Sequence, residues 1–128
     1  RRDQEQGSQT RDSLTQRVNI ARQEALAWRD RAAALVAATG KRIPFSMKVS
    51  RADPGFEITV GAAAIQFDLR LDGWHVVKSA PPDLHPTGTL PADAPQLRDD
   101  LLHRMVEQGL RDLYAGKITA EPDPYGRE

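Results

Sequence analysis

At Gly40 the apolar residues of this chain change their spacing, and no single regular element accommodates both rhythms. Before it, Leu14, Val18, Ala21, Ala25, Trp28, Ala32 and Leu35 recur at alternating intervals of four and three. That is the seam of a helix laid lengthwise on a partner surface. After it, Ile43, Phe45, Met47 and Val49 alternate with Pro44, Ser46, Lys48 and Ser50, the period of a strand with one apolar face. Ser13 is the expected N-cap of the helix and Gly40 its stop. The seam is rich in Ala, so a partner surface approaches closely while each residue buries little area.

Three more strands follow. Ala52-Asp53-Pro54-Gly55 has turn chemistry, after which Phe56, Ile58 and Val60 alternate with Glu57 and Thr59. Ile65, Phe67, Leu69 and Leu71 form the next apolar set, and Asp72-Gly73 is the two-residue signal of a tight hairpin into Trp74-His75-Val76-Val77. That turn sets Leu71 opposite Trp74 and Leu69 opposite Val76. The residues left pointing outward, Ser46, Lys48, Glu57, Thr59, Gln66, Asp68, Arg70 and His75, are a polar set suited to water.

Ser79 to Pro95 carries five prolines and continues neither a helix nor a central strand. Beyond it, Leu102, Met105, Val106, Leu110 and Leu113, flanked by Leu97, Leu101 and Tyr114, define the apolar face of a last helix, with Asp93 near its start and Gly116 as its stop. The expected fold is α+β: a long N-terminal helix, a four-stranded antiparallel meander and a C-terminal helix, with both helices on one face of the sheet. The boundaries follow as a flexible arm over 1–12 and one domain over 13–118. Within that domain the helix takes 13–39, the strands 43–50, 56–61, 64–71 and 74–78, the Pro-rich connector 79–94 and the last helix 95–115. A flexible tail is expected over 119–128.

A chain of 128 residues makes one ordinary domain. No run approaches the roughly 20 apolar residues needed to cross a bilayer, so membrane insertion is not expected. Arg1 to Thr10 lacks the apolar core of a signal peptide, and a start at Arg1 instead of Met is the expectation for a segment of a longer protein. The absence of Cys excludes disulfides, thiol catalysis and cysteine-ligated zinc, and leaves the compartment open.

Net charge is zero, but its signs are separated along the chain. Arg1 to Arg42 holds nine basic and five acidic residues, whereas Ala80 to Glu128 holds five and nine. Two helices of complementary charge, packed together or meeting in neighbouring copies, explain this more simply than a polyanion partner, which calls for an overall basic excess.

Candidate chemistry is sparse. His103 and Glu107 have the spacing of two helix-borne metal ligands, yet no HExxH-type pattern accompanies them and surface residues read the same way. No metal and no cofactor is expected. Asp93, Asp99 and Asp100 sit where capping and the helix dipole already favour acid. There is no G-x-S-x-G elbow, phosphate loop or G-x-G-x-x-G turn, and an enzyme is the least favoured class.

The order of elements is similar to that of nucleoid-associated dimers and of type III secretion chaperones, a likeness that carries no motif. The reading favoured by the residues is a non-enzymatic interaction module, associating with itself or another protein through Leu14, Val18, Ala21, Ala25 and Trp28. A helix of about 25 residues spans roughly 37 Å and outreaches strands of roughly 22 Å, so its Leu14 end needs cover from another molecule. The alternative is a DNA-binding dimer using Arg17, Arg22, Arg29, Arg31, Lys41 and Arg42. A second alternative is a small-ligand pocket between helices and sheet, lined or filled by Phe45, Phe56, Phe67 and Trp74.

Overall fold

In the computed structural model, residues 2–88 and 91–121 are described, with side chains described from Ser13 onward. The elements in order are α1 (Arg2–Ala38), β1 (Phe45–Val49), β2 (Gly55–Val60), β3 (Ala63–Arg70), β4 (Gly73–Ala80) and α2 (Ala94–Tyr114). The strands form one antiparallel sheet in the order β1-β2-β3-β4, so the α+β meander expected from the apolar rhythms is the fold.

Buried residues of both helices and of β2, β3 and β4 join in one cluster, with Phe45 and Met47 of β1 half-buried against it. From α1 come Ala21, Ala25, Trp28, Ala32 and Val36; from α2 come Leu101, Leu102, Met105 and Val106. At its centre Trp28 packs on Phe56 and Phe67 with ring centroids 5.8 and 5.1 Å apart, and Trp74 closes edge-on against the same two rings at 5.8 and 6.2 Å. Tilted and edge-on rings are the arrangements that aromatic quadrupoles favour. The two helices also exchange charge: Arg98 Nε of α2 lies 3.1 Å from Glu24 Oε2, and Arg31 Nε of α1 lies 3.1 Å from Asp99 Oδ1. Part of the sign separation along the chain is thus spent inside the molecule.

The helix ends follow local chemistry. Asp93 caps α2 by accepting from the Gln96 backbone N–H at 3.3 Å, with Pro95 in the first turn where its missing N–H costs nothing. Beyond α1, Gly40 takes φ 71°, the left-handed conformation that closes a helix.

Five expectations change in detail. The helix begins at Arg2 instead of Ser13, so the polar stretch read as an arm has helical backbone, and Ser13 is no cap; its carbonyl accepts from Arg17 Nε at 3.3 Å. The β3–β4 register differs by two residues: Leu69 pairs with Trp74, Arg70 with Gly73, and Leu71 and Asp72 make the turn. A shift of two keeps every side chain on its face, which is why the apolar pattern did not distinguish the two registers. Leu71 is consequently 82% exposed. A bulge at Gln66/Phe67 then lets β4 continue to Ala80. His75, placed with the outward polar set, is buried at 2% exposure. Finally, the start of the expected tail is held in place, because the Glu121 N–H donates to the Arg42 carbonyl at 2.8 Å and Arg42 Nε donates to the Glu121 carbonyl at 2.8 Å. Residues 122–128 lie outside the described residues.

The Pro-rich segment returns along the β4 edge. Gly88 donates to the Val76 carbonyl and Ala92 to the Trp74 carbonyl, which occupies backbone groups that an edge strand otherwise leaves open.

Candidate functional site

Leu14 stands seven, eleven and fourteen residues before Ala21, Ala25 and Trp28. On a helix of about 3.6 residues per turn these separations are close to whole turns, so all four share one line. Three of them are buried beneath α1 while Leu14 is 46% exposed. The difference lies in the sheet, not in the helix. Thirty-seven helical residues extend about 55 Å, against about 27 Å for the eight-residue strands β3 and β4. Arg17 marks the limit of support, donating from Nη1 to the Leu69 carbonyl at 3.3 Å near the last residue of β3. Beyond that point the helix overruns the strands.

The five residues expected to form a contact therefore separate into two groups. Ala21, Ala25 and Trp28 are consumed by the protein's own sheet and are closed to a partner. Leu14 remains exposed and Val18 half-buried. The same end of the molecule carries Leu71 at the β3–β4 turn and Val49 at the end of β1, the latter 38% exposed. A depression of about 610 Å³ lies nearby, lined by Arg17, Val49, Asp53, Glu57, Asp68 and Arg70 among others. Charges of both signs line it, so it presents no field selective for an anion or a cation.

The six basic residues are distributed differently. Arg31 is paired with Asp99 and Arg29 with Asp30 at 3.5 Å. Arg17 is tied to Leu69, and Lys41 lies 5.9 Å from the centre of the Tyr114 ring. Arg42 is engaged by Glu121, and Arg22 is exposed. By helical position Arg22 and Arg29 flank the buried stripe on one side and Arg17 and Arg31 on the other, so the structure does not gather them into one basic face.

The space between helices and sheet is filled. Phe56, Phe67 and Trp74 belong to the packed aromatic cluster, and Phe45 packs half-buried at its margin. On α2, His103 and Glu107 are both exposed, and Glu107 pairs with Arg111 at 3.6 Å. Among the described residues no three His, Cys, Asp or Glu side chains gather as a metal site, and no helix is long and apolar enough to cross a membrane.

One contact, between a buried histidine and an exposed carboxylate, was not anticipated. His75 Nε2 lies 2.8 Å from Asp72 Oδ1. An ionised carboxylate only accepts, so Nε2 carries the proton, and buried Nδ1 has no protein partner among the described residues. That hydrogen bond holds the Asp72 carboxyl below its ordinary value. Leu26, also missed, is 46% exposed on α1; its position off the apolar seam was the available signal.

Compared with known protein families, with curated proteins and with solved structures, the chain matches none.

Proposed function

We propose that the chain is a non-enzymatic protein-interaction module that self-associates, with Leu14 and Val18 at the overhanging end of α1 in the contact. One observation carries this reading: Leu14 continues the line of Ala21, Ala25 and Trp28, yet is left 46% exposed because the sheet ends beneath it. An apolar row that outlasts its own support gains by burial against another surface, at roughly 25 cal/mol per Å² removed from water. A second copy supplies a matching row, as in a two-fold contact.

Light scattering across a concentration series tests the proposal. The intact chain is expected to approach twice its 14.2 kDa mass, and Leu14→Asp with Val18→Asp to remain monomeric. The association is expected to hold or strengthen with salt, since apolar contacts do, whereas phosphate contacts weaken steeply. A folded monomer at every concentration would sink it.

A further inference from the structure

The two edges of the sheet are treated differently. β4 carries a bulge and is lined by the returning Pro-rich segment. β1 carries neither. Its ladder with β2 places Phe45 opposite Val60 and Met47 opposite Ile58, and the Gly61 N–H donates to the Pro44 carbonyl at 2.7 Å. Hydrogen-bonded pairs alternate along an antiparallel ladder, so Ser46 and Lys48 bond to β2 while the N–H and C=O groups of Phe45, Met47 and Val49 point away from it. Among the described residues no hydrogen bond reaches those outward groups.

We infer that the β1 edge pairs antiparallel with β1 of a second copy, joining two sheets into one of eight strands. This rests on the reading that the chain self-associates and identifies a surface for it. The strand is self-complementary: with Met47 on the two-fold axis, each Phe45 faces a Val49, and each Ser46 faces a Lys48, so apolar meets apolar and no like charges stand opposite. Outward groups at Phe45, Met47 and Val49 then exchange hydrogen bonds across the axis.

Helix α1 supplies a second observation. Glu24 and Arg31 bind α2, and α2 packs on β2 and β3 while α1 reaches β1. Leu26 lies on the far side of α1 from Glu24 and Arg31, the flank that borders the β1 edge. It sits two residues from Trp28, which packs on Phe56, and Phe56 is the cross-strand partner of Val49. Exposed Leu26 therefore stands at the level of β1, and edge pairing brings it towards its copy. The chain's own residues 122–128, Pro-Asp-Pro-Tyr-Gly-Arg-Glu, are a poor substitute, because Pro122 and Pro124 have no N–H to give to a ladder.

Analytical ultracentrifugation of the intact chain, Val49→Pro, Ser46→Glu, Ser46→Lys and the Leu14→Asp/Val18→Asp pair provides the test, with far-UV circular dichroism of each. Val49→Pro removes an N–H that the isolated chain leaves unused, and should give a folded monomer. Ser46 is exposed, so its two variants spare the monomer and act through Lys48 of the other copy. With two such pairs per dimer, Ser46→Glu should tighten the dimer about fivefold and Ser46→Lys loosen it about fivefold. If Val49→Pro does not fold, that opposed pair of shifts decides. Unchanged dimers in all three β1 variants overturn the edge pairing, and loss of association in the Leu14/Val18 variant alone would then leave self-association standing. A monomeric intact chain overturns both.

Discussion

A Cβ built on Gly109 of α2 would stand 2.9 Å from Cγ2 of Ile43, a fully buried residue just before β1. The same glycine lies 3.4 Å from the Cβ direction of Gly61. Here the last helix, with no side chain of its own at position 109, approaches the β2–β3 turn and the Ile43 side chain at the entry to β1.

Two effects compete in Gly109→Ala. Helix propensity favours Ala by about 1 kcal/mol, whereas overpacking a closed core costs about 1–3 kcal/mol. Ile43 Cγ2 is a branch close to the backbone and has little room to yield, so packing wins. A net loss of about 1 kcal/mol is expected in urea denaturation; a stabilised variant would show that α2 can lift off Ile43 freely.

The register of the β3–β4 hairpin can be read by mutation. Leu71 belongs to the turn and is solvent-exposed, while Leu69 faces Trp74 and is buried. Leu71→Asn should change stability by no more than about 0.5 kcal/mol, and Leu69→Ala should cost about 2–4 kcal/mol. Comparable losses at both positions would instead fit a turn at Asp72-Gly73.

Acid stability should depend on Asp72. The hydrogen bond from His75 makes its carboxyl more acidic in the folded chain than in the unfolded one. The resulting stabilisation is complete above the unfolded value of about 4 and is lost as pH falls through the lower folded value. Thermal midpoints measured from pH 6 to pH 2 should therefore fall less for Asp72→Asn than for the intact chain. Parallel curves would mean that the pair gives no preference for the folded state.

The Glu24–Arg98 pair joins the helices at a largely buried position, with Nε and Oε2 3.1 Å apart but off the line of a hydrogen bond. Removing one partner strands the other charge. Arg98→Ala should cost about 1–3 kcal/mol, and adding Glu24→Gln should recover part of that loss. Additive losses in a double-mutant cycle would show the pair to be uncoupled.

Spacing and turn chemistry determined the two helices, the four strands, their meander order and most of the residues that form the core, because burial selects apolar side chains at the period of each element. The Asp93 cap and the Gly40 stop were legible for the same local reason. Tertiary structure decided what each buried row meets. The seam from Ala21 to Trp28 records only that these residues are covered, and a covering sheet of the same chain leaves the pattern that a second helix would leave. The hairpin register escaped because a slip of two preserves both faces. His75 escaped because strand alternation registers polarity and not the surroundings that close over a side chain. Leu14 stands exposed for a reason held in no local pattern: α1 is longer than the sheet beneath it, and the relative length of two elements takes effect only once they pack.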